Sequence, residues 1–202
     1  MSEDSAGVSE ESADASGAPT GPADYARACV ESCVLGRPLP SPPAKHRFFA
    51  RRAACFVSLK KHGELRGCIG TLEPDEPDLG AEIARNARSA AFHDPRFHRV
   101  RPDELAALTC SVDVLSPSET CALADLDPAV YGVIVLAGFR RGVLLPDLQG
   151  VDSAQQQVDI ALQKAGIGGD EAYTLERFTV TRYREGEPPR DDEVEDQSAP
   201  SR

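Results

Sequence analysis

Two strand–turn–strand patterns, set among amphipathic helical patterns, constrain the fold of this chain more than any other feature. Residues 54–60 alternate as a strand, with Cys55 and Phe56 on opposite faces. Lys61-His62-Gly63-Glu64 supplies a turn and residues 65–71 the returning strand. The second pair is more apolar: residues 130–137 and 142–145 flank the turn Gly138-Phe139-Arg140-Arg141. Such hairpins are antiparallel, because parallel neighbours need a crossover of a dozen or more residues. Hairpins mixed with helices predict an α+β protein, not a doubly wound parallel sheet.

The helices are marked by their punctuation. Pro22 suits a first turn and Gly36 a C-terminal stop, with Tyr25, Ala28, Cys29, Ser32 and Cys33 on one face between them. Residues 79–91 repeat apolar side chains at Leu79, Ile83, Ala87, Ala90 and Ala91, and Asp94-Pro95 prevents continuation. Ser153 and Gln156 fit a capping box for a helix with Val158, Ala161, Leu162 and Ala165 inward, ended by Gly166. Leu108, Cys110, Val112 and Val114 alternate with Thr109, Ser111 and Asp113 as a half-buried strand. Residues 116–128 read as irregular, and residues 175–183 as one final strand with Phe178 and Val180 facing one way. The expected architecture is a two-layer sandwich of helices on a mixed or antiparallel sheet.

Charge separates this central part from its ends. Residues 1–24 hold six acids and no Lys or Arg, and residues 185–202 hold seven acids and two arginines. Those ends account for the whole net charge of −11, so the segment between them is neutral and the acidity says nothing about what the folded part binds. Both ends are rich in Ser, Ala, Gly and Pro and cannot bury enough apolar surface to offset ~1–2 kcal/mol of ordering per residue. We therefore expect acidic disordered tails at 1–21 and 186–202 around a domain at 22–185. No stretch approaches a membrane span, and the acidic N-terminus lacks the pattern of a secretory leader. Six cysteines sit mostly within regular elements, as reduced thiols of a cytoplasmic protein do.

One segment has chemical character. In Leu65-Arg66-Gly67-Cys68-Ile69-Gly70, a thiol lies two residues from an arginine, between glycines that let a ligand approach the backbone. Strand residues i and i+2 share a face, so Arg66 is expected beside Cys68. The same residues also fit a bulged strand with a small buried thiol. His93 and His98 bracket a proline at a spacing no common metal pair uses, so no metal site is assigned. His46 and His62 stand alone, and Cys29 and Cys33, one helical turn apart, fit a core face better than a metal. Arg47, Arg51, Arg52, Lys60 and Lys61, with Arg140 and Arg141 on the other turn, could meet phosphates. At 5% aromatic content with no Trp, however, a base-stacking platform is poorly supported.

Several motifs in order resemble the AMMECR-type domain family. They are the Leu65–Thr71 segment, the preceding Phe56-Val57-Ser58-Leu59-Lys60, and Ala90-Ala91-Phe92-His93-Asp94-Pro95-Arg96-Phe97. Ser111-Val112-Asp113-Val114, Tyr131-Gly132-Val133, Arg141-Gly142-Val143 and Lys164-Ala165-Gly166 follow. The resemblance spans about residues 22–185 and is greatest to the prokaryotic branch tied to the AmmeMemoRadiSam system. It implies an α+β fold in two interlocked subdomains, with the Cys68 segment lining a cleft. It further implies work beside a Memo-like protein and a radical S-adenosylmethionine enzyme. It specifies no cofactor, and Tyr131 stands where many relatives have His.

Three functions follow as expectations. The first is an enzyme or enzyme subunit with Cys68 as nucleophile or carrier and Arg66 stabilising charge. Gly67, Ile69 and Gly70 would contact the ligand, with Asn86, Asp94 and Arg96 completing the pocket. The second is a non-catalytic adaptor binding a small molecule or peptide in the same cleft. The third is an RNA-binding module using the basic turns.

Overall fold

The computed structural model describes residues 19–43 and 47–190. Most of both predicted tails, and His46, lie outside the described residues. Eight strands form two sheets among the described residues, and every pairing is antiparallel. The first sheet contains β1 (Cys55–Lys61), β2 (Glu64–Gly70), β3 (Leu108–Leu115) and β8 (Val180–Arg184), in the order β2-β1-β3-β8. The second contains β4 (Glu119–Thr120), β5 (Gly132–Ala137), β6 (Arg140–Leu144) and β7 (Thr174–Phe178), in the order β4-β7-β5-β6. This is the α+β class expected.

Helices cover one face of each sheet. α1 (Pro22–Val34) and α3 (Leu79–Phe92) pack on the first, and α4 (Ala154–Ala165) on the second. The helix ends follow local chemistry: Asp78 caps α3 by accepting from the Ala81 N–H at 2.8 Å. Gly166 ends α4 at φ 63°, in the left-handed region. Ser153 caps α4, but the Gln156 side chain accepts from the Asp152 N–H, one residue earlier than a capping box requires. Ile83, Ala87 and Val30 close over Val57, Leu59 and Val112 in the first core. Val158, Ala161 and Leu162 close over Val133 and Val135 in the second. A third cluster, with Ala54, Leu115, Ile134 and Phe178 at its centre and Phe56 and Val180 beside it, joins the two units.

The sheets exchange chain twice, and here the sequence reading needs correction. The run at 175–183 is two strands in different sheets, broken at Thr179. Periodicity reports which side chains face a core, not which neighbour the backbone bonds. The break is fastened to the other crossing: the Ser116 N–H donates to the Thr179 carbonyl at 3.0 Å, and the Thr179 N–H to Ser116 Oγ at 2.9 Å. The second unit is thus one continuous piece set within the first. Three smaller differences accompany this. The first hairpin turns at His62 and Gly63 alone, with φ of 53° and 86°, the geometry of a type I′ turn. The segment at 116–128 includes β4 and a 3-10 turn, and a short helix, α2 (Arg47–Ala50), buries Phe48 and Phe49.

The C-terminal boundary also shifts. The Gly186 N–H donates to Asp24 Oδ1 at 2.9 Å, and Pro189 is buried. A Cβ on Gly21 would lie 1.9 Å from the Glu187 carbonyl oxygen, so only glycine admits this contact. Residues 186–190 therefore belong to the folded domain. Among the described residues no helix is long and apolar enough to cross a membrane.

Candidate functional site

β2 is an edge strand carrying one extra residue. Leu59 faces Gly67 while Lys60 faces Leu65, which leaves Arg66 in a bulge. The bulge breaks the i, i+2 relation with Cys68 and re-aims the arginine. Arg66 donates from Nε and Nη2 to the two oxygens of Glu104, at 3.0 and 2.9 Å. Lys61 Nζ and the Arg101 N–H reach the same carboxylate, each at 3.0 Å. The Arg66 hydrogen bond, against the opposing effect of burial, holds Glu104 at about 2.

The backbone of Cys68 is held from outside the sheet. Its N–H donates to Asp94 Oδ2 at 2.8 Å, and its carbonyl accepts from Arg96 Nη2 at 3.4 Å. Arg96 in turn binds Asp94 through Nε at 3.0 Å and Nη2 at 2.7 Å. Asp94 is 4% exposed, and the Arg96 side chain, followed by the Cys68 N–H, keeps its carboxyl well below the usual range. A strand edge that would otherwise be open to another chain is closed by this clasp.

The Cys68 side chain lies on the sheet face opposite α1 and α3. Pairing places Ser58 beside Cys68 on one side and Ser111 on the other, Ser111 beside Arg184, and Asp113 between Phe56 and Arg182. Ser58 Oγ donates to Cys68 Sγ at 3.2 Å. Arg182 forks onto Asp113, Nε to Oδ1 at 2.6 Å and Nη2 to Oδ2 at 2.7 Å. Arg184 ends the row that Cys68 begins, and Arg182 stands in the next row of the same face. Beside them opens a cleft of about 400 Å³, lined by Ser58, Lys60, Ser111, Arg182, Arg184 and Glu185 among others.

Residues 23–186 match the AMMECR1 family, across nearly all of this architecture. The chain belongs to the AMMECR1 family. A Thermotoga maritima protein is 50% identical over 148 residues, covering 72% of this chain and 85% of that one. The Clostridium acetobutylicum protein CA_C1420 is 52% identical over 130 residues, 64% of this chain. This chain spans only 28% of the length of that relative. The crystal structure of the uncharacterized protein PH0010 from Pyrococcus horikoshii aligns with a TM-score of 0.71 at 26% identity, covering 83% of this chain and 91% of that one.

Of the residues singled out in sequence, this AMMECR1 domain brings together Cys68, Asp94 and Arg96. The glycines have packing tasks. A Cβ on Gly67 would stand 2.3 Å from the Ala90 carbonyl oxygen of α3, and one on Gly70 would stand 2.4 Å from the Phe56 ring. Ile69 packs towards the helix-side core. Asn86, 1% exposed, donates to the Cys55 carbonyl at 3.0 Å and to Glu82 at 3.2 Å, on the helix side of the sheet and away from the cleft. Ser58, Asp113 and Arg182 were not foreseen. The alternation of Thr109, Ser111 and Asp113 placed the polar face, and an aspartate on a half-buried strand was the one hint of a bound cation.

Elsewhere the polar groups are committed to the fold. Lys61 pairs with Glu104, Arg140 with Glu171, Arg141 with Glu73, and Arg51 lies 4.2 Å over the Phe48 ring. Tyr131 supports the Arg177 guanidinium at 4.5 Å, and its carbonyl accepts from Gln157 at 2.8 Å. All six cysteines are free thiols. Burial pushes Cys29 and Cys55 up to about 12, Cys110 higher still, and Cys33 and Cys121 upward. Among the described residues no group of three His, Cys, Asp or Glu is placed to hold a metal ion.

Proposed function

We propose that this AMMECR1 protein is a cytoplasmic enzyme or enzyme subunit in which the Cys68 thiol attacks, or carries, a substrate seated in the adjoining cleft. We further propose that it acts with a Memo-like protein and a radical S-adenosylmethionine enzyme. The observation that carries the first reading is the contact of Cys68 Sγ with Ser58 Oγ at the wall of the cleft. Ser58 is the hydrogen-bond donor to the sulfur. Negative charge developing on a substrate would fall to Arg182, because the Cys68 N–H is already donated to Asp94. Arg66, tied to Glu104, acts on the strand's shape and not on the thiol. The cytoplasmic reading draws support from six free thiols.

Limited iodoacetamide labelling followed by peptide mapping tests the thiol. Cys68 is expected to label before Cys29, Cys55 and Cys110. Equal or slower labelling of Cys68, together with full partner and ligand binding by Cys68→Ser, would sink the nucleophile. That outcome favours the non-catalytic ligand-binding reading, which the occupied Cys68 N–H also supports. RNA binding has less support, since three of the turn cations are neutralised by Glu104, Glu171 and Glu73.

A further inference from the structure

The geometry points to the cleft as a binding site for a phosphorylated small molecule, gripped by Arg182, Arg184 and the Ser111 hydroxyl, with Asp113 as the positioning residue of Arg182. This deepens the preceding section by naming the ligand's chemistry; it rests on the cleft being the ligand site but not on the thiol being reactive.

The register sets out the donors. Lys60 pairs with Thr109, Ser111 with Arg184, and Asp113 with Arg182, in three successive rows of one sheet face. Neighbouring strands lie about 4.8 Å apart and successive same-face rows about 6.8 Å apart, so the Ser111–Arg184 row and the Asp113–Arg182 row put two long guanidinium side chains and a hydroxyl within reach of one small anion. Arg182 spends Nε and one Nη2 hydrogen on Asp113, which is 4% exposed, and keeps its remaining donors on a side chain that is 54% exposed. A buried carboxylate holding a half-exposed arginine by two bonds fixes its direction, which is how bidentate anion recognition is prepared.

The charge balance selects an anion. Asp113 neutralises Arg182, leaving Lys60 and Arg184 as the cations that a ligand must answer. Arg184 reaches Glu187 only at 3.8 Å. The one acid in the lining, Glu185, is engaged from behind: it accepts from the Cys110 N–H at 2.6 Å and faces Arg27 at 3.7 Å. A carboxylate offers two oxygens in one plane, and a phosphate offers three that diverge, which suits donors spread over two strands. The cleft, about 400 Å³, lies within the size range of small-ligand pockets.

The test is calorimetric titration of the full chain with inorganic phosphate and with ribose 5-phosphate, using acetate as competitor. Saturable binding of both phosphate probes is expected, with no displacement by acetate. Arg184→Gln and Arg182→Lys should each weaken binding ~tenfold or more, the latter despite its retained charge, because the fork is lost. Asp113→Asn should weaken it, and Asp113→Glu should restore part of it. If Asp113→Asn does not fold, the two exposed arginine variants still decide the matter. Absence of saturable binding, equal competition by acetate, or wild-type affinity in Arg182→Lys overturns the site. Retained phosphate binding with an unreactive Cys68 would overturn the nucleophile alone, and a reactive Cys68 without phosphate binding would overturn this inference alone.

Discussion

At Glu104 burial and hydrogen bonding pull in opposite directions, and hydrogen bonding wins. With its folded value depressed to about 2 from 4.5, this carboxylate contributes stability that is fully present above the unfolded value and is lost as pH falls towards 2. Denaturation at graded pH should show a decline on the order of 3 kcal/mol across that window, flattened in Glu104→Gln. Gly67 supplies a second expectation. The atom a Cβ would meet is a backbone carbonyl of α3, which cannot swing aside. Gly67→Ala should therefore cost ~2–3 kcal/mol in urea denaturation, as overpacking does. Both residues show what was legible at this scale. Gly67 stood out in the sequence, but its reason, a helix passing overhead, depends on a residue more than twenty positions away. Arg66 stood out as well, and its partner was misjudged because a single bulged residue reverses the facing of every side chain before it.

Among the elements, β2 is one of the four edge strands of the described residues, with one edge that no neighbouring strand covers. Asp94 and Arg96 supply the missing partner, and the two motifs prominent in the sequence prove to be halves of one clasp. Asp94→Ala would leave the Cys68 N–H without its acceptor and free Arg96, at a cost of about 2–4 kcal/mol. Hydrogen exchange at the Cys68 amide is the measurement: slow in the native protein, and much faster in the variant while β1 amides stay protected. Unchanged exchange would mean that another group holds this edge. Helices, hairpins and most strands were readable from periodicity and punctuation. The assignment of strands to sheets was not, because residues 108–115 pair with residues 180–184 across an intervening subdomain, and no local pattern records that choice.

For the whole molecule the exchange of chain between sheets matters most. The unit at 119–178 lies inside the other, and the third hydrophobic cluster bonds them, so heat should unfold both in one transition. Two calorimetric peaks would contradict that. The docking of residues 186–190 beside α1 adds a sharper expectation. A chain of residues 19–190 should melt as the 202-residue chain does. One of residues 22–185 should lose ~1–2 kcal/mol through the missing Gly186 hydrogen bond and the missing burial of Pro189. Equal melts for the two would show that this contact contributes nothing. The neutral centre and acidic ends suggested a C-terminal boundary at 185. They missed the docked turn because its anchor is a backbone contact over a glycine.

The late position of β8 also sets an order of birth. β3 leaves the ribosome with its far edge unmet, and its partner follows about 65 residues later, a delay of roughly 3–13 s at about 5–20 residues per second. In that interval the continuous inner unit has nearly all its own strands and its helix to hand and can assemble, while the outer sheet waits. Synthesis thus runs from the inside outward, and the face that holds Cys68, Asp113 and Arg182 is completed only when β8 arrives.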